Sequence, residues 1–299
     1  MHENQLRLTV DMVRELVSHQ FPEWALLTIA PVQSEGTVNA IFRIGDGLAA
    51  RFPLQPRDIE ATRQWLRSEA DAALELLGHI SFAVPEPVAI GEPGAGYPLP
   101  WSVQTWLSGT TASQQDPSNS SEFALDLAKF IEQVRAIDVR GRSFAGSGRG
   151  GDLRSHDEWM EACFEQSEQL FDVPRLRRIW ARLRDLPRES PDVMTHGDLI
   201  PGNVLVDHGR LTGILDVGGL GPADPALDLV SAWHLLDTGP RKLLREALRC
   251  GELDWERGKA WAFEQAMGAV WYYRSSNPTM SRMGRRTLER IRAEDQDPE

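Results

Sequence analysis

The stretch Thr195-His196-Gly197-Asp198-Leu199-Ile200-Pro201-Gly202-Asn203-Val204-Leu205-Val206, with Gly213-Ile214-Leu215-Asp216 behind it, constrains this chain more than any other. Pro201 and Gly202 bend the backbone after Asp198 and stop a helix from running through it. Val204–Val206 and Leu211–Leu215 read as two short apolar strands, joined by a turn at Asp207-His208-Gly209-Arg210. Such a hairpin brings Asp216, at its far end, close to the loop that carries Asp198 and Asn203. Two carboxylates and an amide gathered in this way suit phosphoryl transfer to an alcohol. Asp198 can accept the proton of an attacking hydroxyl, while the Asn203 amide oxygen and the Asp216 carboxylate can hold Mg2+ on nucleotide phosphates. A hairpin with polar turns and capping aspartates is the plainer alternative.

Asn203 follows Asp198 by five positions. The catalytic loop of protein kinases has the same interval between its aspartate and asparagine. Here the preceding residues are His196-Gly197, so the segment reads His-Gly-Asp. This variant, with Asp216-Val217-Gly218-Gly219 and the later Asp224-Pro225-Ala226-Leu227-Asp228-Leu229, resembles the aminoglycoside phosphotransferase family, the small-molecule kinases of the protein-kinase-like fold. The resemblance implies an α+β, bilobal architecture: a small antiparallel-sheet N-lobe over residues 1–107 that binds the nucleotide, and a larger helical C-lobe over residues 108–299 that carries catalysis and the substrate. It also implies Asp198 as the catalytic carboxylate, Asn203 and Asp216 as metal ligands, Mg2+ as cofactor and ATP or GTP as phosphoryl donor. His196 is expected to hold the loop's shape rather than to act as a base. Asp228 is expected to accept loop N–H groups, and Asp224 to act as a cap.

The residue pattern agrees with two lobes. In the first hundred residues a helix is expected at Leu8–His19, capped by Thr9 or Asp11. Strands follow at Leu26–Val32, Asn39–Ile44 and Leu48–Phe52. The loop between the first two holds Ser34 and Thr37 and a single glycine. In the family this position covers the nucleotide phosphates, so both hydroxyls are candidate phosphate contacts. The third strand ends Ala49-Ala50-Arg51-Phe52-Pro53, where protein kinases carry a lysine. The first lysine of this chain is Lys129, so Arg51 is the candidate phosphate clamp. A helix at Asp58–Leu77 is expected to bury Ile59, Trp65, Leu66, Ala70, Ala73, Leu74 and Leu77. Its Glu69 matches the family's partner for the strand cation, with Glu60 and Glu75 as alternatives. Val84–Pro87 reads as a rigid connector. Trp101–Gly109 reads as a strand running into a turn where the family's lobes join, with Gln104 to Leu107, Gln104 and Trp106 among them, expected to meet the purine.

The remainder reads as helical: Glu122–Ile137, Asp157–Phe171, Pro174–Leu186, Asp224–Leu236, Gly239–Cys250, Asp254–Ser275 and Met280–Ala293, with a Gly/Ser/Arg-rich loop at Arg140–Gly151. Trp233, His234, Asp237, Trp261, Glu264, Trp271, Tyr272 and Tyr273 are expected either to wall a substrate pocket or to form core.

Composition excludes several classes. With a net charge of −12 the chain is a poor match for nucleic acid, and it permits a cationic substrate. No apolar run is long enough to span a bilayer. The first residues lack a signal peptide's apolar core, and the two cysteines, Cys163 and Cys250, sit in no metal or redox spacing. The expectation is a cytoplasmic monomer or homodimer that phosphorylates a hydroxylated small molecule. An aminoglycoside or another antibiotic is one acceptor that the resemblance implies, with resistance as the consequence; an ordinary hydroxylated metabolite is another. A non-catalytic nucleotide-binding pseudokinase and a metal-dependent hydrolase using His196, Asp198 and Asp216 are the rival classes.

Overall fold

The structure is a computed structural model that describes residues 5–32, 38–146 and 148–295. The chain divides into two compact units, Met1–Gly78 with Ala83–Ser108 and His79–Phe82 with Gly109–Glu299.

The first unit opens with α1 (Val10–Gln20), whose N-cap Thr9 accepts a hydrogen bond from the Met12 N–H. Three strands follow: β1 (Ile29–Val32), β2 (Asn39–Ile44) and β3 (Leu48–Pro53). β1 is shorter than expected. Pro22–Trp24 forms a 3-10 turn before it, and Leu26 and Leu27 remain exposed. Next come α2 (Ile59–Leu77), β4 (Pro87–Gly91) and β5 (Trp101–Thr105). The five strands form one antiparallel sheet in the order β1-β2-β3-β5-β4. β4 replaces the end of the expected connector, because Pro87 stands at the strand's first position, where a missing N–H is tolerated.

Strand alternation decides what Arg51 meets. Ala50 and Phe52 point into a core that contains Val13, Leu16 and Val17 of α1 together with Trp101 and Val103 of β5. Phe52 and Trp101 stack at 4.8 Å between ring centroids. Arg51 lies between Ala50 and Phe52 and so projects from the opposite face of β3. The buried stripe of α2 also differs from the expected one: Thr62, Leu66, Ala73 and Leu76 are buried, whereas Ile59 and Leu74 are exposed. Steps of four and three residues along that stripe place Glu69 on it, between Leu66 and Ala73.

The second unit contains β6 (Thr110–Thr111), α3 (Ser121–Arg135), α4 (Asp157–Ser167), α5 (Val173–Leu183), β7 (Val193–Thr195), β8 (Val204–Asp207), β9 (Arg210–Ile214), β10 (Gly221–Ala223), α6 (Val230–Leu235), α7 (Thr238–Ala247), α8 (Glu252–Tyr272) and α9 (Pro278–Glu294). β8 and β9 form the expected hairpin with β6 at their edge, while β7 pairs with β10. The turn has two residues, His208 at φ 47° and Gly209 at φ 73°. Two consecutive left-handed residues match the right-handed twist of the strands. The expected helix from Asp224 begins only at Val230, since Asp224-Pro225-Ala226 forms a turn and Leu227–Leu229 a 3-10 segment.

α8 is buried nearly all round, as a central helix requires. At Gly258 an added Cβ would lie 2.5 Å from the Leu229 Cβ, so only glycine lets α8 approach the segment that follows the hairpin. Trp233, Trp261, His234 and Glu264 are buried and belong to the core, whereas Tyr272 is exposed. Cys163 is buried and Cys250 half-buried; burial pushes the first thiol up to about 12 and the second to about 11. Among the described residues no helix is long and apolar enough to cross a membrane.

Candidate active site

The loop after β7 is built by one buried carboxylate. Asp228, wholly buried, accepts the His196 N–H at 2.8 Å on Oδ2 and the Gly197 N–H at 2.9 Å on Oδ1. The two amides can point at one carboxylate because Gly197 adopts φ +82°, a conformation that disfavours side chains. His196 is also fully buried. Its Nδ1 accepts the Asp198 N–H at 3.3 Å, which leaves the proton on Nε2 to donate to the Leu215 carbonyl at 3.2 Å. Both ring nitrogens are therefore engaged by backbone, which suits the expected shape-holding role. The ring joins the Asp198 loop to the residue before Asp216.

Asp198 itself is about one-third exposed. The Asn203 Nδ2 donates to its Oδ2 at 2.9 Å and to its backbone carbonyl at 3.0 Å. This chelation fixes the Asn203 amide and directs its oxygen away from Asp198. Asn203 sits on the 3-10 turn Pro201–Asn203, and its carbonyl accepts the Leu215 N–H at 2.8 Å. Asp216 follows at φ 54°, ψ 57°. A non-glycine residue in the left-handed region is uncommon and clusters at functional sites. The hairpin thus closes between Asn203 and Leu215, as the sequence pattern predicts, and Asp216 is held just beyond that closure.

The Asp198 Oδ1 meets two donors that sequence reasoning missed. Gln265 Nε2 of α8 lies 3.2 Å away, and Arg149 Nη2 3.5 Å away. Arg149 comes from the loop before α4, whose Gly150 and Gly151 carbonyls accept the Asp224 N–H and the Arg257 guanidinium. The only available signal for Gln265 was its place beside Glu264 in a helix already singled out for its polar and aromatic residues; Arg149 had none. Of the expected pocket carboxylates, Asp237 pairs with Arg290 at 2.7 Å and Glu264 with His156 at 3.0 Å. The His156 imidazole is held above its ordinary value, chiefly by its hydrogen bond to Glu264.

Asp224 does more than cap. Its Oδ1 accepts the Ala226 N–H, and its Oδ2 accepts the Arg257 Nη2 at 2.5 Å, the Arg257 Nε at 2.8 Å and the Trp261 indole N–H at 3.3 Å. Both members of this ion pair are almost wholly buried.

In the first unit, Arg51 Nη1 lies 3.0 Å from Glu69 Oε2, and both side chains are 12% exposed. Glu60 instead pairs with Arg63. The Trp106 N–H donates to the Gly47 carbonyl and the Thr105 N–H to the Glu86 carbonyl, so these two N–H groups are engaged by the sheet. The Gln104 backbone lies in register with Ala49 and Pro87. The Trp106 ring stacks under the Arg43 guanidinium at 5.2 Å. Ser34 and Thr37 lie outside the described residues.

Asn203 and Asp216 offer an amide oxygen and a carboxylate, hard donors of the kind Mg2+ takes alongside nucleotide phosphates. The described residues contain no cluster of three or more His, Cys, Asp or Glu side chains suited to a metal ion. The donor set fits a cation that arrives with its nucleotide better than a permanently caged one.

Comparison with known proteins gives a consistent result. The model of the phosphotransferase enzyme family matches residues 29–261. The aminoglycoside 3'-phosphotransferase of Streptomyces ribosidificus is 30% identical over 216 residues, which are 67% of this chain and 77% of that protein. The enzyme of the same name from Salmonella typhimurium is 31% identical over 144 residues, 46% of this chain. The matched region spans 52% of that relative's own length. Among solved structures, the GDP complex of aminoglycoside 2'-phosphotransferase-IIIa superimposes with a TM-score of 0.68 at 18% identity, covering 96% of this chain and 99% of that one. The macrolide 2'-phosphotransferase MphH of Brachybacterium faecium gives 0.60 at 17% identity, covering 97% and 98%.

Proposed function

The chain belongs to the phosphotransferase enzyme family, and on that premise we propose that it transfers the terminal phosphoryl group of ATP or GTP to a hydroxyl of a small molecule. The observation that carries this reading is the Asn203 clamp on Asp198, 2.9 Å from Nδ2 to Oδ2. It fixes Oδ2, while Oδ1, which Gln265 and Arg149 approach at 3.2 and 3.5 Å, is the oxygen assigned to the acceptor. Asp198 Oδ1 accepts the hydrogen bond of the acceptor hydroxyl and takes its proton as the new O–P bond forms. The bond from that phosphorus to the bridging oxygen breaks, and the nucleoside diphosphate leaves. Asn203 and Asp216 would hold Mg2+, which neutralises charge on the phosphates when bound. Arg51, kept in place by Glu69, would clamp the nucleotide phosphates.

Aminoglycosides are the first acceptors to try, because the relatives named above carry that substrate in their names. One observation favours a second reading, an ordinary hydroxylated metabolite. Asp237 and Glu264, which would draw a polycation, are already paired with Arg290 and His156. A phosphorylation screen of aminoglycosides, macrolides and hydroxylated metabolites with both nucleotides tests the activity and separates the two. Failure of every acceptor, with intact nucleotide binding, would support the pseudokinase alternative.

Two variants test the nucleotide side. Asp216→Asn removes a charge that faces the cation, so nucleotide affinity should lose most of its dependence on Mg2+, whereas Asn203→Ala should weaken it less. Nucleotide titrations with and without Mg2+ read this out, and equal, metal-independent losses would remove both residues from the metal site. Arg51→Ala should raise the nucleotide KM and lower kcat together, by on the order of 10-fold or more, since it removes a charge-assisted contact. Glu69→Ala should give a milder form of the same defect, and the double variant should be less than additive. Strict additivity in steady-state kinetics would show that the two act separately.

A further inference from the structure

Asp198 is the starting point of a hydrogen-bonded chain that crosses three helices. Gln265 of α8 donates from Nε2 to Asp198 Oδ1 at 3.2 Å. Gln265 Oε1 lies 2.9 Å from His234 Nε2 of α6. His234 Nδ1 lies 2.9 Å from Thr287 Oγ1 of α9. His234 is 4% exposed and Thr287 fully buried, so neither depends on water for partners. We propose that Gln265 is a positioning residue for Asp198, and that His234, braced by Thr287, sets which end of the Gln265 amide faces the carboxylate.

The chemistry permits one direction at every link. An ionised carboxylate only accepts, so the amide must present its Nε2. The opposite orientation would set Oε1 against Oδ1, two acceptors with no proton between them. With Nε2 committed to Asp198, Oε1 must receive a proton from His234 Nε2. A neutral imidazole then has a bare Nδ1, which accepts the Thr287 hydroxyl proton. Neutrality follows from position: burial lowers the His234 pKa to about 4, and the Arg149 and Arg290 charges act in the same direction. The Trp233 carbonyl lies farther from Thr287 Oγ1, at 3.4 Å against 2.9 Å for His234 Nδ1, so the imidazole is the nearer acceptor for the threonine proton.

Asp198 thereby has a donor fixed on each oxygen from a different source. Asn203 holds Oδ2 from within the loop, and Gln265 holds Oδ1 from α8 at 3.2 Å, closer than the Arg149 contact at 3.5 Å. Without Gln265, Oδ1 would keep only the longer Arg149 contact, and the carboxylate would sample rotamers in which that oxygen turns away from the acceptor. Millimolar substrate cannot correct such a loss, because the cost falls on the geometry of the reacting pair. The inference rests on the reading of Asp198 as the group that takes the hydroxyl proton.

The test uses the full chain. Rates are read with Mg-ATP and Mg-GTP, with kanamycin as acceptor and with water as an acceptor present in every assay. Gln265→Met keeps the shape and removes the donor. It should lower kcat by about 10- to 100-fold, the rate equivalent of one hydrogen bond to a charged group, with the nucleotide KM unchanged. Gln265→Glu places a second carboxylate against Asp198 and should lower kcat further. His234→Phe should reduce kcat in the wild-type background but add nothing to Gln265→Met, because it acts through that amide. Nitrogen NMR of the imidazole in the wild-type chain should show Nε2 protonated and Nδ1 bare. The opposite tautomer, or wild-type kcat in Gln265→Met beside an inactive Asp198→Ala, would overturn the proposal. Undiminished transfer by Asp198→Ala would instead remove the reading beneath it.

Discussion

Replacing Asp198 by alanine is expected to lower kcat by on the order of 10²–10⁴-fold, the usual contribution of a positioned general base. The protein should stay folded, because the side chain is about one-third exposed and its three donors can turn to water. Nucleotide affinity should change little, since the loss falls on the acceptor hydroxyl. Asp198→Asn should be nearly as inactive, as an amide can orient a hydroxyl but cannot take its proton. Single-turnover transfer alongside a thermal melt separates chemistry from folding. A variant that turns over at the wild-type rate on the acceptor found by screening would place the base elsewhere.

The largest expected effect on stability lies at Arg257. Arg257→Met should cost about 3–5 kcal/mol, because it leaves the Asp224 carboxylate buried without its cation. Three of the contacts that satisfy Asp224 are donated by Arg257 and Trp261, both on α8. The same guanidinium also binds the carbonyls of Leu186 and Gly151, so its loss frees two further acceptors in the interior. Lys should rescue only in part, since an ammonium cannot reproduce the guanidinium fork. Urea unfolding at constant m measures the change. A shift below about 1 kcal/mol, within the range of exposed ion pairs, would mean that water reaches Asp224 in solution.

These two sites differ in how far they could be read from the chain. Asp198, Asn203 and Asp216 were legible because the geometry that joins them is local. A two-residue turn at His208-Gly209, two apolar strands and the Pro201-Gly202 bend lie within twenty residues of one another, and turn chemistry at that range follows from φ preferences alone. Arg51 and Glu69 were reached by resemblance. Their pairing has a physical basis, strand alternation on β3 and a helical stripe on α2, but the stripe expected from helical spacing was rotated away from the real one. Ile59 and Leu74 looked like core and are exposed, because hydrophobicity alone does not say which face of a helix finds a partner.

The short strands β4, β7 and β10 escaped notice for a related reason. Three to five residues give too few alternations to distinguish a strand from a loop, and pairing is decided by the neighbour, as Val193–Thr195 finds Gly221–Ala223 across the Asp198 loop. The helix expected from Asp224 starts late because Asp224 and Asp228 turn their carboxylates to other segments, one to Arg257 and one to the amides of His196 and Gly197. Arg149, His234, Gln265 and Thr287 lay beyond reach altogether as a set. They converge from four places along the chain, and their meeting depends on the rotation and depth of α6, α8 and α9, which close packing determines. By itself the sequence determined the bend and hairpin that gather Asp198, Asn203 and Asp216 and the division into a sheet-rich and a helical part, all properties of short-range backbone preference. Only the tertiary structure decided what surrounds Asp198, because a donor 67 positions away in the chain becomes its neighbour through packing alone.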